Sequence, residues 1–93
     1  MKTTNKIISS TKSPQLKTKY KYIYFTDVSD EYPTRKIKTF YCYNKSGWCL
    51  GIVEWRFSWR QYWWIADDQI GLTKSCLDDI GDFISQLMRA KNE

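Results

Sequence analysis

The 93-residue sequence predicts an α+β domain, an antiparallel sheet of about four strands with one C-terminal amphipathic helix packed on one face. Two patterns in the sequence predict this fold class. Between residues 19 and 66, aromatic and β-branched residues recur at every second position, which is typical of strands. Between residues 72 and 89, apolar residues recur at three- and four-residue spacing, which is typical of a helix with one buried face.

Four segments carry the strand pattern, and residues that favour turns separate most of them. The stretch "NKSG" at 44–47 predicts a hairpin turn, because Asn and Gly tolerate the positive φ that such turns need. The joint between the last two strands, at Ser58, has no such residue, so either a tight turn or a bulge fits there. A hairpin turn is favoured, because one strand over residues 48–66 would far exceed the usual length. The predicted strands are 19–25, 35–43, 48–57 and 60–66.

The predicted helix follows the loop "DDQIGLTKS". Thr73 or Ser75 can cap it, and with Thr73 as the cap Leu72 and Leu77 occupy the positions of a hydrophobic staple. The helix is expected to end near Arg89. The residues assigned to the core are Trp55, Trp63, Leu77, Ile80, Ile84 and Leu87.

The domain organisation is simple. Residues 1–17 are rich in Lys, Ser and Thr and are expected to form a flexible basic arm, and residues 18–93 are expected to form a single α+β domain. No apolar run approaches the ~20 residues that cross a bilayer, so no membrane association is expected and a cytoplasmic location is the default.

The residue types disfavour an enzyme or a metal protein. The chain has no histidine, which removes the commonest acid–base group, and its three cysteines include no C-x-x-C pair. Paired aspartates occur at 67–68 and 78–79, but a strand end and a helix N-terminus explain them better than catalysis or magnesium does. We therefore expect no catalytic residue, no metal site, no cofactor, and cysteines that stay reduced.

Charge and aromatic content point instead to binding. Residues 1–45 contain ten Lys and Arg against three Asp and Glu, a net +7, whereas residues 46–93 have a net −2. Fifteen of the sixteen aromatic residues lie between Tyr20 and Trp64. One helix covers only one face of the sheet, so an aromatic face is left over for a ligand, a partner or a second copy, unless the monomer packs better than this pattern indicates.

The leading hypothesis is a non-enzymatic protein that holds an anionic ligand, a nucleotide or a short single-stranded nucleic acid, on an aromatic and basic sheet surface. Two alternatives stay open. One is a protein–protein inhibitor or interaction module that binds a host protein through the same face or through an exposed edge strand such as 19–26, and the other is a homo-oligomer with this face as its interface. The residues expected to stack on the ligand are Tyr22, Tyr24, Tyr41, Tyr43 and Trp64, and those expected to neutralise its phosphates are Lys21, Lys38, Arg56 and Arg60.

Residues 50–88 resemble a small family found in bacteria, phages and mobile elements, with L-G-x-I-x-W, W-R-x-Y-x-F and C-L-x-x-I-x-x-F-I segments. The matching residues are Leu50, Gly51, Val53 and Trp55, then Trp59, Arg60, Tyr62 and Trp64, then Cys76, Leu77, Ile80, Phe83 and Ile84. Ala66-Asp67 stands where a proline commonly closes the last strand of that family. The resemblance implies a β-hairpin followed by a helix, and an accessory gene of counter-defence type acting in a host cytoplasm. That family has no established activity, so no functional residue transfers.

Overall fold

The computed structural model describes residues 16–91 and has the architecture that the sequence predicts. Four strands form one antiparallel sheet, and an 18-residue helix packs against it. The elements are β1 (Ile23–Asp27), a 3₁₀ turn (Ser29–Glu31), β2 (Phe40–Asn44), β3 (Cys49–Arg56), β4 (Gln61–Ala66) and α1 (Lys74–Lys91). The predicted α+β fold class is confirmed.

The strands follow one another across the sheet in chain order, β1-β2-β3-β4. The predicted turn between β2 and β3 is confirmed. Gly47 has a φ of 92°, and Asn44 Oδ1 accepts hydrogen bonds from the backbone N–H groups of Ser46 and Trp48, each at 3.0 Å. This side-chain acceptor fixes the turn, because it replaces backbone partners that the tight loop cannot supply.

Both of the first two strands begin later than predicted. The chain reverses just before β1: the Tyr20 N–H donates to the Ile23 carbonyl at 2.9 Å, and the Phe25 N–H donates to the Thr18 carbonyl at 2.8 Å. The reversal buries Tyr20, and its hydroxyl donates to Asp82 of α1 at 2.7 Å. Residues 35–39 likewise form no strand, and β2 begins at residue 40.

The β3–β4 hairpin closes through a four-residue turn, Phe57–Arg60. Its last residue has a φ of 57°, the left-handed conformation that glycine usually adopts, and its N–H donates to the Arg56 carbonyl at 2.8 Å. The turn therefore lacks the glycine by which such loops are recognised in a sequence. Of the two possibilities at Ser58, the turn is the correct one.

The length of this turn decides which way the tryptophans of β4 point. Trp55 pairs with Tyr62 across the hairpin, so that Tyr62 and Trp64 lie on the same face as Trp55, the face that packs against α1. Trp63 lies on the opposite face, beside Glu54. The sequence-based assignments of Trp63 to the core and of Trp64 to the ligand surface are both wrong, because they imply an odd number of turn residues.

The core lies between α1 and one face of the sheet. Phe83 is its centre, fully buried, with its ring stacked on Phe25 at 4.0 Å and meeting Phe40 edge-on at 5.1 Å. Ile80 and Leu87 are buried one turn to either side, as predicted, and Trp55 and Ile84 pack partly buried against the core.

Of the two cap candidates, Thr73 and Ser75, the structure has Thr73: its Oγ1 accepts a hydrogen bond from the Cys76 N–H at 3.3 Å. The assignment of Leu77 to the core is wrong, because this side chain is 50% exposed. It lies on the first turn of α1, where the neighbouring Cys76 packs against the core in its place.

Of the predicted basic arm, residues 1–15 lie outside the described range. The two residues that are described, Leu16 and Lys17, contact the domain: Leu16 packs against the core, and the backbone of Lys17 exchanges two hydrogen bonds with the Gln86 side chain, at 2.8 and 3.0 Å. Over residues 16–91 no helix has both the length and the apolar character needed to cross a membrane.

Candidate functional site

The sheet has one face that α1 does not cover, here called the open face. Three cross-strand pairs lie on this face: Tyr24 with Tyr43, Ile52 with Ile65, and Glu54 with Trp63. None of these six side chains belongs to the buried core. The open face carries Tyr24, Tyr41, Tyr43, Ile52, Glu54, Arg56, Trp63 and Ile65.

The tyrosine end of the open face is held by contacts within the protein. Tyr24 and Tyr43 stack at 5.4 Å with 25° between their rings. The Tyr41 and Tyr32 hydroxyls lie 2.6 Å apart, and the Tyr41 hydroxyl donates to Glu31 at 3.2 Å. The hydrogen bond with Tyr32, some burial and the Glu31 charge together raise the pKa of Tyr41. This end offers aromatic surface, but the Tyr41 hydroxyl is already engaged by Tyr32 and Glu31.

The centre of the open face is electrically balanced and partly apolar. The Arg35 guanidinium donates to Glu54 at 3.0 Å and lies 4.2 Å from the centre of the Tyr32 ring. The second Glu54 oxygen accepts from the Trp63 indole N–H at 3.3 Å. On the same face, an open cavity of about 400 Å³ has a mostly apolar lining with one carboxylate, made up of Tyr41, Cys49, Gly51, Ile52, Ile65, Ala66 and Asp67.

The other end of the open face is here called the arginine–tryptophan corner and consists of Arg56, Trp59, Arg60 and Trp63. The two indoles meet at 87° with their centres 5.5 Å apart. The Arg56 guanidinium carbon lies 5.1 Å from the centre of the Trp59 ring and 4.5 Å from that of Trp63, so cation–π attraction orients it. Trp59 is 59% exposed.

The guanidinium of Arg56 lacks one of its hydrogen-bond partners in this arrangement. Its Nε is buried and has no hydrogen-bond partner, and within residues 16–91 no carboxylate forms an ion pair with Arg56 or Arg60. A buried donor without a partner costs about 1–3 kcal/mol, and more where the group is charged. The corner therefore presents a positive charge, planar donors and an exposed indole side by side.

The structure brings together only some of the residues that the sequence assigns to a ligand. Tyr24, Tyr41, Tyr43 and Arg56 share the open face, and Arg60 lies next to it in the β3–β4 turn. Tyr22 and Lys21 precede β1, where the Lys21 ammonium lies 5.2 Å from the Tyr22 ring centre. Lys38 is paired with Asp27 at 3.4 Å. Trp64 lies on the other face, where it packs partly buried against the core.

Two residues of the corner, Trp59 and Trp63, were absent from the predicted ligand set. For Trp63, the sequence-based prediction assumed an odd number of turn residues and therefore placed the side chain on the wrong face. Trp59 lies in the turn itself, where the alternation of strand side chains does not apply. The sequence does contain a pattern that indicates this cluster. In "RFSWRQYW", arginine and tryptophan occur on both sides of a short turn, which brings them together.

The cysteines do not form a site with one another or with a metal. Cys42 is fully buried in β2, and burial raises the pKa of its thiol from 9.0 to about 12. The Cys49 thiol donates weakly to the Gly51 carbonyl at 3.7 Å. In the described part of the chain no three His, Cys, Asp or Glu side chains cluster as metal ligands would.

Comparison of the chain with protein-family models, with curated proteins and with solved structures finds no match.

Proposed function

We propose that the chain is a non-enzymatic binding protein that holds an anionic ligand, a nucleotide or a short single-stranded nucleic acid, at the arginine–tryptophan corner of its open face. One observation carries the proposal. Arg56 is held against two indoles with a buried, unpartnered Nε, and no described carboxylate neutralises it.

The two chemical parts of a nucleotide match the two parts of the corner. A phosphate oxygen accepts hydrogen bonds from the fork of guanidinium donors, and such charge-assisted bonds are about twice as strong as neutral ones. A base can stack on the exposed indole of Trp59, an interaction worth ~1–3 kcal/mol per base. Arg60 adds a second positive charge at the same end of the sheet.

The rest of the open face extends this surface for a ligand longer than one nucleotide. From the corner, the aromatic side chains continue past Ile52 to the stacked pair Tyr24 and Tyr43. The accessory, counter-defence role and the phage or mobile-element origin rest on the resemblance of residues 50–88 alone, and they form part of this proposal.

Tryptophan fluorescence tests the proposal by titration with mononucleotides and short oligonucleotides at two salt concentrations. We expect saturable quenching whose affinity falls as salt rises, because phosphate contacts release counterions. Arg56→Gln should weaken binding by about tenfold or more, the loss of one charged hydrogen-bonding group. Lys74→Gln removes the same charge from an exposed position on α1 and should leave binding unchanged.

Absence of detectable quenching by every nucleotide and oligonucleotide at low salt would contradict the proposal. So would equal affinities of the Arg56→Gln and Lys74→Gln variants, since the ligand would then sense net charge and not the corner.

A protein partner is the second candidate function, and the centre of the open face favours it. There Arg35 and Glu54 neutralise each other on the same face as the cavity lined by Ile52 and Ile65, and Ile65 is 38% exposed. A largely apolar surface that includes the Asp67 carboxylate suits a host protein better than a polyanion. Salt-insensitive binding of a purified host protein that is lost in Ile65→Asp and kept in Arg56→Gln would support this candidate over the first.

A further inference from the structure

The two outer edges of the sheet are not alike. The outer edge of β1 is covered by the reversal before it, where Lys19 bridges to Tyr24 and the Thr18 carbonyl accepts from the Phe25 N–H. Lysines at 17, 19 and 21 add charge to that edge. β4, the opposite edge, reads "QYWWIA" and has no charge, no proline and no irregularity in its pairing with β3. Natural proteins usually protect such an edge, because it is a template for another strand.

The backbone groups that β4 turns outward can be identified. Just past the strand, the Asp67 N–H donates to the Leu50 carbonyl at 2.9 Å, so odd-numbered residues face β3. Because this direction alternates along an antiparallel strand, Tyr62, Trp64 and Ala66 direct their N–H and C=O groups away from the sheet. The Tyr62 N–H donates to the Met88 thioether of α1 at 3.4 Å, so at this end α1 covers the edge, and it does so with a weak acceptor that a second strand has to displace.

We propose that a second copy of this chain occupies this edge, with two β4 strands pairing antiparallel into one continuous sheet and Trp64 opposite Trp64 of the second copy. This register is the one that uses all three outward residues, since it also sets Tyr62 opposite Ala66 of the second copy. The Ala66 backbone then replaces the Met88 sulfur as the partner of Tyr62, a stronger acceptor in place of a weaker one.

Side chains on both sides of the paired edge are complementary in this register. On the open face, Trp63 lies directly opposite Ile65 of the second copy, an aromatic and β-branched pair of the kind that stabilises sheets. Beyond the strand ends, the same register brings the turn residue Arg60 near Asp68 of the second copy, which follows β4, so that the two opposite charges can pair. The two-fold symmetry of the pair makes each of these contacts twice. No like charges face each other, which is what a specific self-association requires.

The pairing also has a consequence for the open face. The two open faces join across the edge into one surface, with an arginine–tryptophan corner from each copy and the apolar side chains of Ile65 between them. The proposed dimer follows from the geometry of the β4 edge and does not require a ligand at the arginine–tryptophan corner.

Light scattering of the eluting full-length protein at micromolar concentration tests the proposal. We expect wild type to have twice the mass of one chain. Arg60→Asp and Asp68→Arg should each raise the dimer dissociation constant roughly tenfold, because each reversal breaks two ion pairs and opposes like charges. The double variant Arg60→Asp/Asp68→Arg should restore the wild-type mass, since the pairing is reciprocal. Lys36→Asp makes the same change of charge as Arg60→Asp, but at an exposed loop position, and should leave the mass unchanged.

Ala66→Pro is a second variant that keeps the test independent of surface charge. It removes an N–H that only the second copy uses, and proline is tolerated at an edge strand where its nitrogen faces outward. We expect a monomer with the wild-type circular dichroism spectrum. A monomeric wild type overturns the proposal. So does a dimer whose dissociation constant the single charge reversals and Ala66→Pro leave unchanged, because the open face would then be the interface.

Discussion

The absence of a side chain at Gly51 allows β3 to pack closely against β4, so substitution of this residue tests how tightly the two strands fit. A Cβ added at this position would collide with the carbonyl oxygen of Ile65 and lie 2.6 and 2.8 Å from the Cη2 and Cζ2 atoms of Trp64. The indole of Trp64 thus lies over the glycine and fills the space that a side chain would occupy. Neither obstacle gives way easily, because one is backbone and the other is a ring packed against the core.

We therefore expect Gly51→Ala to lower the free energy of unfolding by about 1–3 kcal/mol, the usual cost of overpacking. In a domain of this size each kcal/mol moves Tm by roughly 4–8 °C, so the variant should melt at a clearly lower temperature. Thermal unfolding followed by circular dichroism measures the shift.

Gly81→Ala is the matched control. It lies within α1 with open space around it, and replacing a mid-helix glycine by alanine stabilises a helix by roughly 0.5–1 kcal/mol. The two alanine variants should move Tm in opposite directions. An unchanged Tm for Gly51→Ala would refute the packing of Trp64 over Gly51, and with it the placement of Trp64 against the core.

Three further expectations concern the helix, the core and pH. Thr73→Ala should cost about 1 kcal/mol in chemical unfolding, because it removes the cap of α1, whereas Thr73→Ser should cost little. Tyr20→Phe should destabilise by about 1–3 kcal/mol, because the carboxylate of Asp82 then loses a partly buried donor. Burial keeps the Cys42 thiol protonated in the folded protein up to about pH 12, whereas in the unfolded chain it ionises near 9.0. Its contribution to stability is therefore present below pH 9 and is lost as the pH rises toward 12. A Cys42→Ala variant should show less of this alkaline loss, and the wild-type Cys42 should react slowly with thiol reagents until the protein unfolds.

The sequence was sufficient to predict the regular elements. Alternation identified four strands, and three- and four-residue spacing identified α1, because burial of one face imposes these periods on any sheet or helix. The turn at Gly47 could also be predicted, since few residues other than glycine and asparagine adopt its φ.

The errors lie where the chain reverses without such residues. Around Lys21 the alternation continues through a reversal, so the pattern reads as strand although Tyr20 belongs to the core. At Arg60 a left-handed residue with a long side chain closes the β3–β4 turn, and one residue more or less exchanges the faces of Trp63 and Trp64. The arginine–tryptophan corner depends on that turn, which is why alternation alone did not find it.

Indole N–H resonances of the uniformly ¹⁵N-labelled protein test the binding site most directly, because each tryptophan reports from a different place in the sheet. On titration with a short oligonucleotide at low salt, we expect the Trp59 and Trp63 resonances to shift saturably. The Trp48 resonance should stay in place, since that side chain is 71% exposed but lies at the opposite end of β3. Titration that shifts neither Trp59 nor Trp63, or that shifts Trp48 as strongly as both, would contradict a binding site at the arginine–tryptophan corner.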